Sequence, residues 1–404
     1  MNGRALEREG ARLTWRPGAA LVGAASRSWI SGQLTIIAPD GQRLVLSGRE
    51  PGPDATMVLR TPATISRIAA AGDIGFADAY VAGDIESPDL PRLLTVLAAN
   101  FDGMARALRG HPFTRLINLA MHGMRRNTRR GARQNILAHY DLGNAFYRLW
   151  LDDGLNYSSG VYAHPDASLA DAQRAKHTAL ARAMDLRPGQ SLLEIGCGWG
   201  DFARFAATAY AAKVTAVTIS PAQYAHAAAA IQAEGLGERV SIELRDYRDI
   251  RGRFDRIASI EMLEAVGEAY WPAFFSQVRE RLKPGGRAGL QFITIDDALF
   301  EDYRARPDFI QLRVFPGGML PSERRLKRET DHAGLNWTGV KRYGDSYART
   351  LAEWARRYAV ADRALETMGF DERFNRLWRY YLAYCEAGFR TGRIDLVQLG
   401  LERA

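Results

Sequence analysis

The stretch that most restricts how this chain can fold is Ser191–Asp201, SLLEIGCGWGD, where an apolar run and an acidic residue break into glycines at 196, 198 and 200. An apolar run this short needs cover on both faces, as a strand of a parallel sheet has. Glycine permits backbone angles and close approaches that a Cβ forbids, so the strand opens into a turn where a ligand can reach the main chain. The spacing is G-x-G-x-G, not the G-x-G-x-x-G that lays a pyrophosphate on a helix N-terminus. This argues against a dinucleotide and leaves room for S-adenosylmethionine. A purely structural strand-to-helix turn is the plainer alternative.

Strands and helices alternate around this turn. Periodicity predicts a helix over 177–184, strands at 191–195, 213–219, 240–244, 254–259 and 289–295, and helices from 201, over 222–232 and over 271–282. That alternation means a doubly wound parallel sheet, whose ligands sit beyond the carboxyl ends of its strands. Upstream, 33–37 and 43–46 flank the turn Ala38-Pro39-Asp40-Gly41 as a β-hairpin, and 56–60 is a further strand. Helical spacing follows at Ile65, Ile68 and Ala69 and again at Leu93, Leu94, Val96 and Leu97. This small α+β module of residues 1–110 offers no paired carboxylates, metal cluster or nucleophile with a base. It is either a lipid-binding or docking domain or structure alone.

With 404 residues the chain is long for a single core. A net charge of +8 makes anionic partners worth considering, and two cysteines give no disulfide framework and fit a reducing compartment. No eighteen-residue apolar run occurs, so a membrane would be met from its surface. Residues 111–135 join an apolar stripe (Leu116, Ile117, Leu119, Met121, Met124) to Arg125, Arg126, Arg129, Arg130 and Arg133. This pattern suits an interfacial helix on anionic lipid, or a core-packed helix with a solvated basic linker. No nucleic-acid-binding module accompanies it.

The strand ends carry the polar residues. Thr218, Ser220 and Gln223 follow the second strand of the sheet, offering hydroxyls and an amide to a cofactor, or in the case of Ser220 a helix cap. Asp246 and Tyr247 suit the exocyclic amine and π-face of an adenine. Glu261 and Glu264, three residues apart beyond the fourth strand, are candidates for cofactor binding and base chemistry, or for helix capping.

These segments together resemble the cyclopropane-fatty-acyl-phospholipid synthase family. The resemblance runs through GDIGFADAYVAGDIE, HYDLGNAFYRLWLDDGLNYSSGVY, LLEIGCGWG, VTISPAQY, RDYRDI, SIEMLEAVG, LQFITI, VFPGGMLPS and YYLAYCEAGF. It implies a class I methyltransferase with a Rossmann-like doubly wound sheet over 136–404, carrying lipid-tunnel insertions, behind the smaller N-terminal domain. It implies methyl or methylene transfer from S-adenosylmethionine to the double bond of unsaturated acyl chains in membrane phospholipid, giving cyclopropane, methyl-branched or methylated unsaturated chains. The cofactor residues carried over are Tyr157, Ser158, Glu194, Gly196, Gly198, Thr218, Ser220, Gln223, Asp246, Tyr247 and Glu261. Glu264, Ser159 and Gln291 fall to catalysis, with Glu264 helping to hold a bicarbonate ion that acts as base. No metal is implied. The expected setting is cytoplasmic, peripheral on the inner membrane surface, with a homodimer left open.

The chain departs from the family around that anion. Ser159 stands where many members have cysteine, Ala265 and Gln291 where bacterial members have histidines, and Ala355 follows the tryptophan of a C-terminal helix where a tyrosine is usual. Plant-like members also show E-M-I-E-A-V-G and L-Q-F, so Ala265 and Gln291 alone do not exclude ring closure. A remodelled bicarbonate site is expected, with methyl transfer retained. Tyr162, Phe292, Phe309 and Phe315 are candidate tunnel-lining aromatics, or core. A methyltransferase of a small amine and a non-catalytic lipid-binding relative are the alternatives.

Overall fold

Alternation of period two builds the N-terminal sheet. Strands β1 (Ser31–Ile37) and β2 (Arg43–Ser47) pair antiparallel with Leu34 opposite Leu46 and Ile36 opposite Leu44, all four buried. β3 (Glu50–Leu59) runs parallel to β1 on its other side, and β4 (Ile85–Glu86) completes the order β2-β1-β3-β4. Helix α1 (Ala63–Val81) breaks at Gly72, whose φ of +63° strains any residue with a Cβ. Helix α2 (Leu90–Ala99) starts on Asp89, which accepts from Arg92 N–H. Buried Asn100 at its end accepts from the N–H groups of Ile30 and Ser31 and donates to the Ser31 and Val96 carbonyls. Helix end and first strand therefore meet with no orphaned side-chain amide.

The structure is a computed structural model that describes residues 23, 26, 28–103 and 142–404. The basic segment expected over 111–135 lies outside the described residues. The rest packs as two units, one of described residues up to 103 with 306–309 and 363–391, the other of 142–305, 310–362 and 392–404. The first unit thus takes in the helix Glu372–Arg390, which the sequence reading grouped with the sheet over 136–404. Its Tyr380 ring lies against Phe76, Tyr80 and Phe309, and its Arg376 donates to the Tyr80 and Ile85 carbonyls at 2.7 Å each while stacking on the Tyr80 ring.

In the second unit β5 (Ser191–Ile195), β6 (Lys213–Thr218), β7 (Val240–Leu244), β8 (Phe254–Ile260) and β9 (Leu282–Ile295) are parallel neighbours. β10 (Leu335–Arg342) and β11 (Ile394–Arg403) extend the sheet to the order β10-β11-β9-β8-β5-β6-β7, with β11 antiparallel to both neighbours. β5 sends Leu193 and Ile195 into one core, with Trp271, Phe274 and Phe275, and Leu192 into the other, with Leu180, Ala203 and Ala207. Burial on both sides explains its unbroken apolar run. Helices α3 (Leu169–Ala183), α4 (Asp201–Tyr210), α5 (Pro221–Ala233) and α6 (Trp271–Arg281) alternate with the strands. α3 begins at Leu169 instead of 177 because Ser168 and Asp171 close a capping box there. Strand order reverses between β5 and β8, which opens a crevice beyond their carboxyl ends. The doubly wound α/β sheet with a smaller α+β module is the fold expected from the sequence.

Replacing Arg376 by alanine removes two charged hydrogen bonds, to the Tyr80 and Ile85 carbonyls, and a cation–π contact within the first unit. Urea denaturation is expected to show a loss of about 2 kcal/mol, with Arg376→Lys, which cannot fork to two carbonyls, recovering only part of it.

Candidate active site

Gly196, Gly198 and Gly200 all hold positive φ, at +78°, +53° and +88°. The N–H groups of Gly196 and Cys197 both donate to the Val217 carbonyl at 3.0 Å, pinning the turn to β6. Beneath it Glu194 is buried, and burial together with Asp201 pushes its carboxyl up to about 8, against the pull of Lys176. Its Oε2 has no hydrogen-bond partner among the described residues. An orphaned buried acceptor under a glycine turn fits a cofactor that brings donors of its own. On β6 and α5, Thr218 Oγ1 donates to Gln223 Oε1 at 2.9 Å, and Ser220 Oγ accepts from Gln223 N–H at 3.4 Å as the cap of α5. The Asp246 carboxylate is held by the Arg248 guanidinium at 2.8 and 2.5 Å, and that guanidinium lies 5.6 Å from the Tyr247 ring centroid.

Tyr157 sits in an aromatic box of Tyr147, Trp150, Trp354 and Phe315, with centroids 5.5, 5.4, 5.7 and 6.3 Å away. Next to it Ser158 Oγ accepts from Lys176 Nζ at 2.8 Å. Lys176 also donates to Asn156 Oδ1 at 3.1 Å, and Asn156 Nδ2 donates to Asp152 at 2.8 Å and to Asp201 at 2.7 Å. Burial pushes the Lys176 ammonium down, while Asp152, Glu261, Asp201 and Glu194 pull it up. The sequence reading missed Lys176, Asn156, Asp152 and Asp201. One signal existed: Lys176 falls on the buried stripe of α3 with Leu169, Ala172, Gln173 and Leu180, a place where lysine is rare unless paired.

The two candidate carboxylates occupy different environments. Glu261 Oε1 accepts from Ser159 N–H at 2.9 Å and Gln291 Nε2 at 2.8 Å, and its Oε2 accepts from Tyr347 Oη at 2.6 Å. Burial raises its carboxyl above the usual range, opposed by those three donors and by Lys176. Glu264 Oε1 accepts only the Ile293 N–H, at 2.5 Å, and its buried Oε2 has no partner among the described residues. Burial and the Glu261 charge push Glu264 up to about 8. The donors around Glu261 pull its carboxyl down against burial, whereas burial and a like charge act on Glu264 with little to oppose them. Gln291 is oriented in turn by Gln398, whose Nε2 donates to its Oε1 at 2.8 Å.

The structure brings Ser159, Gln291 and Glu261 together and adds Tyr347 and Gln398, which the sequence reading did not single out. The Gln291 amide, expected to face a bicarbonate ion, already donates to Glu261 together with the Ser159 N–H, and the Ser159 hydroxyl donates to the Gly160 carbonyl at 2.8 Å. The residues present therefore do not fit that ion. A phenol absent at Ala355 is supplied from Tyr347, on the same helix, α8 (Gly344–Val360), following α7 (Glu323–His332). Of the candidate tunnel aromatics, Phe315 faces Tyr157. Phe292 lies in the core with Trp271, Phe309 packs on Tyr380 and Tyr384 in the first unit, and Tyr162 lies under the Arg349 guanidinium at 4.0 Å.

A doubly wound sheet with a glycine turn beside its reversal point, bordered by buried carboxylates, defines a class I S-adenosylmethionine-dependent methyltransferase. The family described as Mycolic acid cyclopropane synthetase matches residues 127–399, and this chain belongs to it. It is 37% identical to a tuberculostearic acid methyltransferase of Mycobacterium tuberculosis, over 88% of this chain and 84% of that protein. It is 32% identical to the cyclopropane-fatty-acyl-phospholipid synthase of Escherichia coli, over 89% and 90%. Among solved structures, the mycolic acid cyclopropane synthase CmaA1 complexed with SAH and CTAB superposes with a TM-score of 0.63 at 29% identity, covering 67% of this chain and 98% of that one.

Lys176→Met is expected to weaken S-adenosylhomocysteine binding about tenfold to a hundredfold by calorimetry, the size of a lost charged hydrogen bond, with the circular dichroism spectrum retained. The raised carboxyls also set a pH dependence. A folded-state value of about 8 against an ordinary 4.5 for Glu264 means that the folded protein binds the extra proton between those limits. Stability therefore falls as pH rises from about 5 to about 8, with Glu194 contributing in the same direction. Glu264→Gln should flatten part of that fall in denaturation midpoints measured at pH 6 and pH 9.

Proposed function

We propose that the chain transfers a methyl group from S-adenosylmethionine to the double bond of unsaturated fatty acyl chains in phospholipid, leaving a cyclopropane, methyl-branched or methylated unsaturated chain. The observation that carries this reading is the buried Glu261–Glu264 pair, the first held by three converging donors, beside a box of aromatic rings at the cofactor end of the sheet. A sulfonium methyl is electrophilic enough for a π-bond held in line at short range. The chain's own task is then to keep water from the resulting carbocation, to face it with polarisable rings, and to set a base beside the new methyl group. Transfer to an amine needs no such arrangement. The names of the two relatives, a fatty-acid methyltransferase and a cyclopropane synthase, support the same substrate class.

In this reading Tyr157, Ser158, Glu194, Gly196, Gly198, Thr218, Ser220, Gln223, Asp246 and Tyr247 surround the cofactor. Residues 1–110 dock lipid, and the arginines at 125–133 meet an anionic surface. No helix among the described residues is long and apolar enough to cross a membrane, in keeping with peripheral attachment.

Purified protein with methyl-labelled S-adenosylmethionine and vesicles of dioleoyl phosphatidylglycerol should yield labelled acyl chains one methylene heavier by mass spectrometry, and none with saturated vesicles. No label in any lipid, or equal label in small amines, overturns the reading.

A further inference from the structure

We infer that Glu261 is the built-in base of this reaction, its carboxylate standing where the resemblance places a free bicarbonate ion. The inference rests on the lipid methyl-transfer reading above and concerns what becomes of the cation.

Three donors converge on this one side chain: the Ser159 amide, the Gln291 side chain and the Tyr347 hydroxyl, at 2.9, 2.8 and 2.6 Å. Such a set, drawn from the 159 loop, β9 and α8, is built for a carboxylate or a carbonate of the same size. Gln398 fixes the Gln291 amide so that its NH₂ group faces Glu261. The backbone gives an independent argument. Glu261 holds φ at +48°, one of four non-glycine residues with positive φ among those described, and its own N–H is locked to the Gln291 carbonyl at 2.8 Å. Left-handed backbone costs a residue with a Cβ about 1–2 kcal/mol, which glycine would avoid. A glutamate kept at a glycine-shaped position, with both oxygens engaged, points to a use for the carboxylate itself. Removing it would leave three donors around a space fitted to a small carboxylate.

The chemistry balances with no further reactant. The alkene π pair forms a C–C bond to the sulfonium methyl as the C–S bond breaks, leaving a neutral thioether and a carbocation on the acyl chain. Glu261 takes a proton from the new methyl group, and the C–H electron pair closes the third ring bond. If Glu261 instead takes a proton from the chain carbon next to the cation, that C–H electron pair becomes a π bond and leaves a methylated alkene. The proton on Glu261 returns to water after product leaves.

The test compares the wild type with Glu261→Gly and Glu261→Gln in bicarbonate-free buffer, using the labelled vesicle assay. The wild type is expected to keep full activity and to gain nothing from added bicarbonate. Glu261→Gly should lose about a hundredfold or more in turnover, a larger factor than any loss of S-adenosylhomocysteine affinity measured on the same variant. Millimolar bicarbonate should restore at least tenfold in Glu261→Gly and nothing in Glu261→Gln, where an amide still fills the space. Carbon-13 NMR with labelled bicarbonate and S-adenosylhomocysteine gives a readout free of turnover, with binding expected to Glu261→Gly and not to the wild type. A wild type that needs or binds bicarbonate overturns the inference, as does a fully active Glu261→Gly in bicarbonate-free buffer or a folded Glu261→Gly that neither binds nor is rescued by the ion. If the wild type labels no lipid, the lipid reading fails while the NMR comparison still decides the place of the carboxylate.

Discussion

The site depends on one buried ammonium. Lys176 is fully enclosed, and taking an ion out of water costs several kcal/mol unless its field and its protons are matched. Its protons reach Asn156 and Ser158, and its field is shared by Asp152, Asp201, Glu194 and Glu261. These groups come from the 152–158 loop, the start of α4, the end of β5 and the turn after β8. A single charge on α3 thus holds the loop bearing Tyr157 against the glycine turn and steadies the carboxylates on both sides of it. Replacing any one of those acids alters the balance for the others.

What the sequence made legible follows from which signals are local. Parallel strands buried on both faces read as apolar runs, so β5 and β7 were placed residue for residue and β6 and β8 to within one residue. Thr218, Ser220 and Gln223 could be placed at a strand end and helix start because a strand end followed by a helix cap is also a local pattern. The packing partners of the helix Glu372–Arg390 were not legible, because an amphipathic stripe shows that a face is covered without showing by what. Tyr347 and Gln398 escaped notice since each reaches the site from an element far along the chain. Glu261 was seen as a carboxylate, but its partners and its left-handed backbone are properties of the fold.

The unequal treatment of two glutamates three residues apart has a simple physical origin. Glu261 receives three hydrogen bonds and the field of Lys176, whereas Glu264 receives backbone N–H donation alone and the field of Glu261. At Glu261 the donors oppose the effect of burial, while at Glu264 burial and like charge add together. Two like charges at such depth are costly, which is why a charge on Glu261 raises the Glu264 carboxyl.

A tethered carboxylate also differs from a free ion in kind. An ion occupies its site according to its concentration and affinity, while a side chain is present at every turnover with its translational freedom already lost in folding. The three donors leave Glu261 little room to follow a cation that migrates along the acyl chain. The product is then decided by which C–H bond of the cation lies beside a fixed oxygen, so the register of the bound chain sets the choice between ring closure and a methylated alkene. Strain at residue 261 is the structural counterpart of that rigidity: the backbone is held where a glycine would relax, so that the carboxylate cannot.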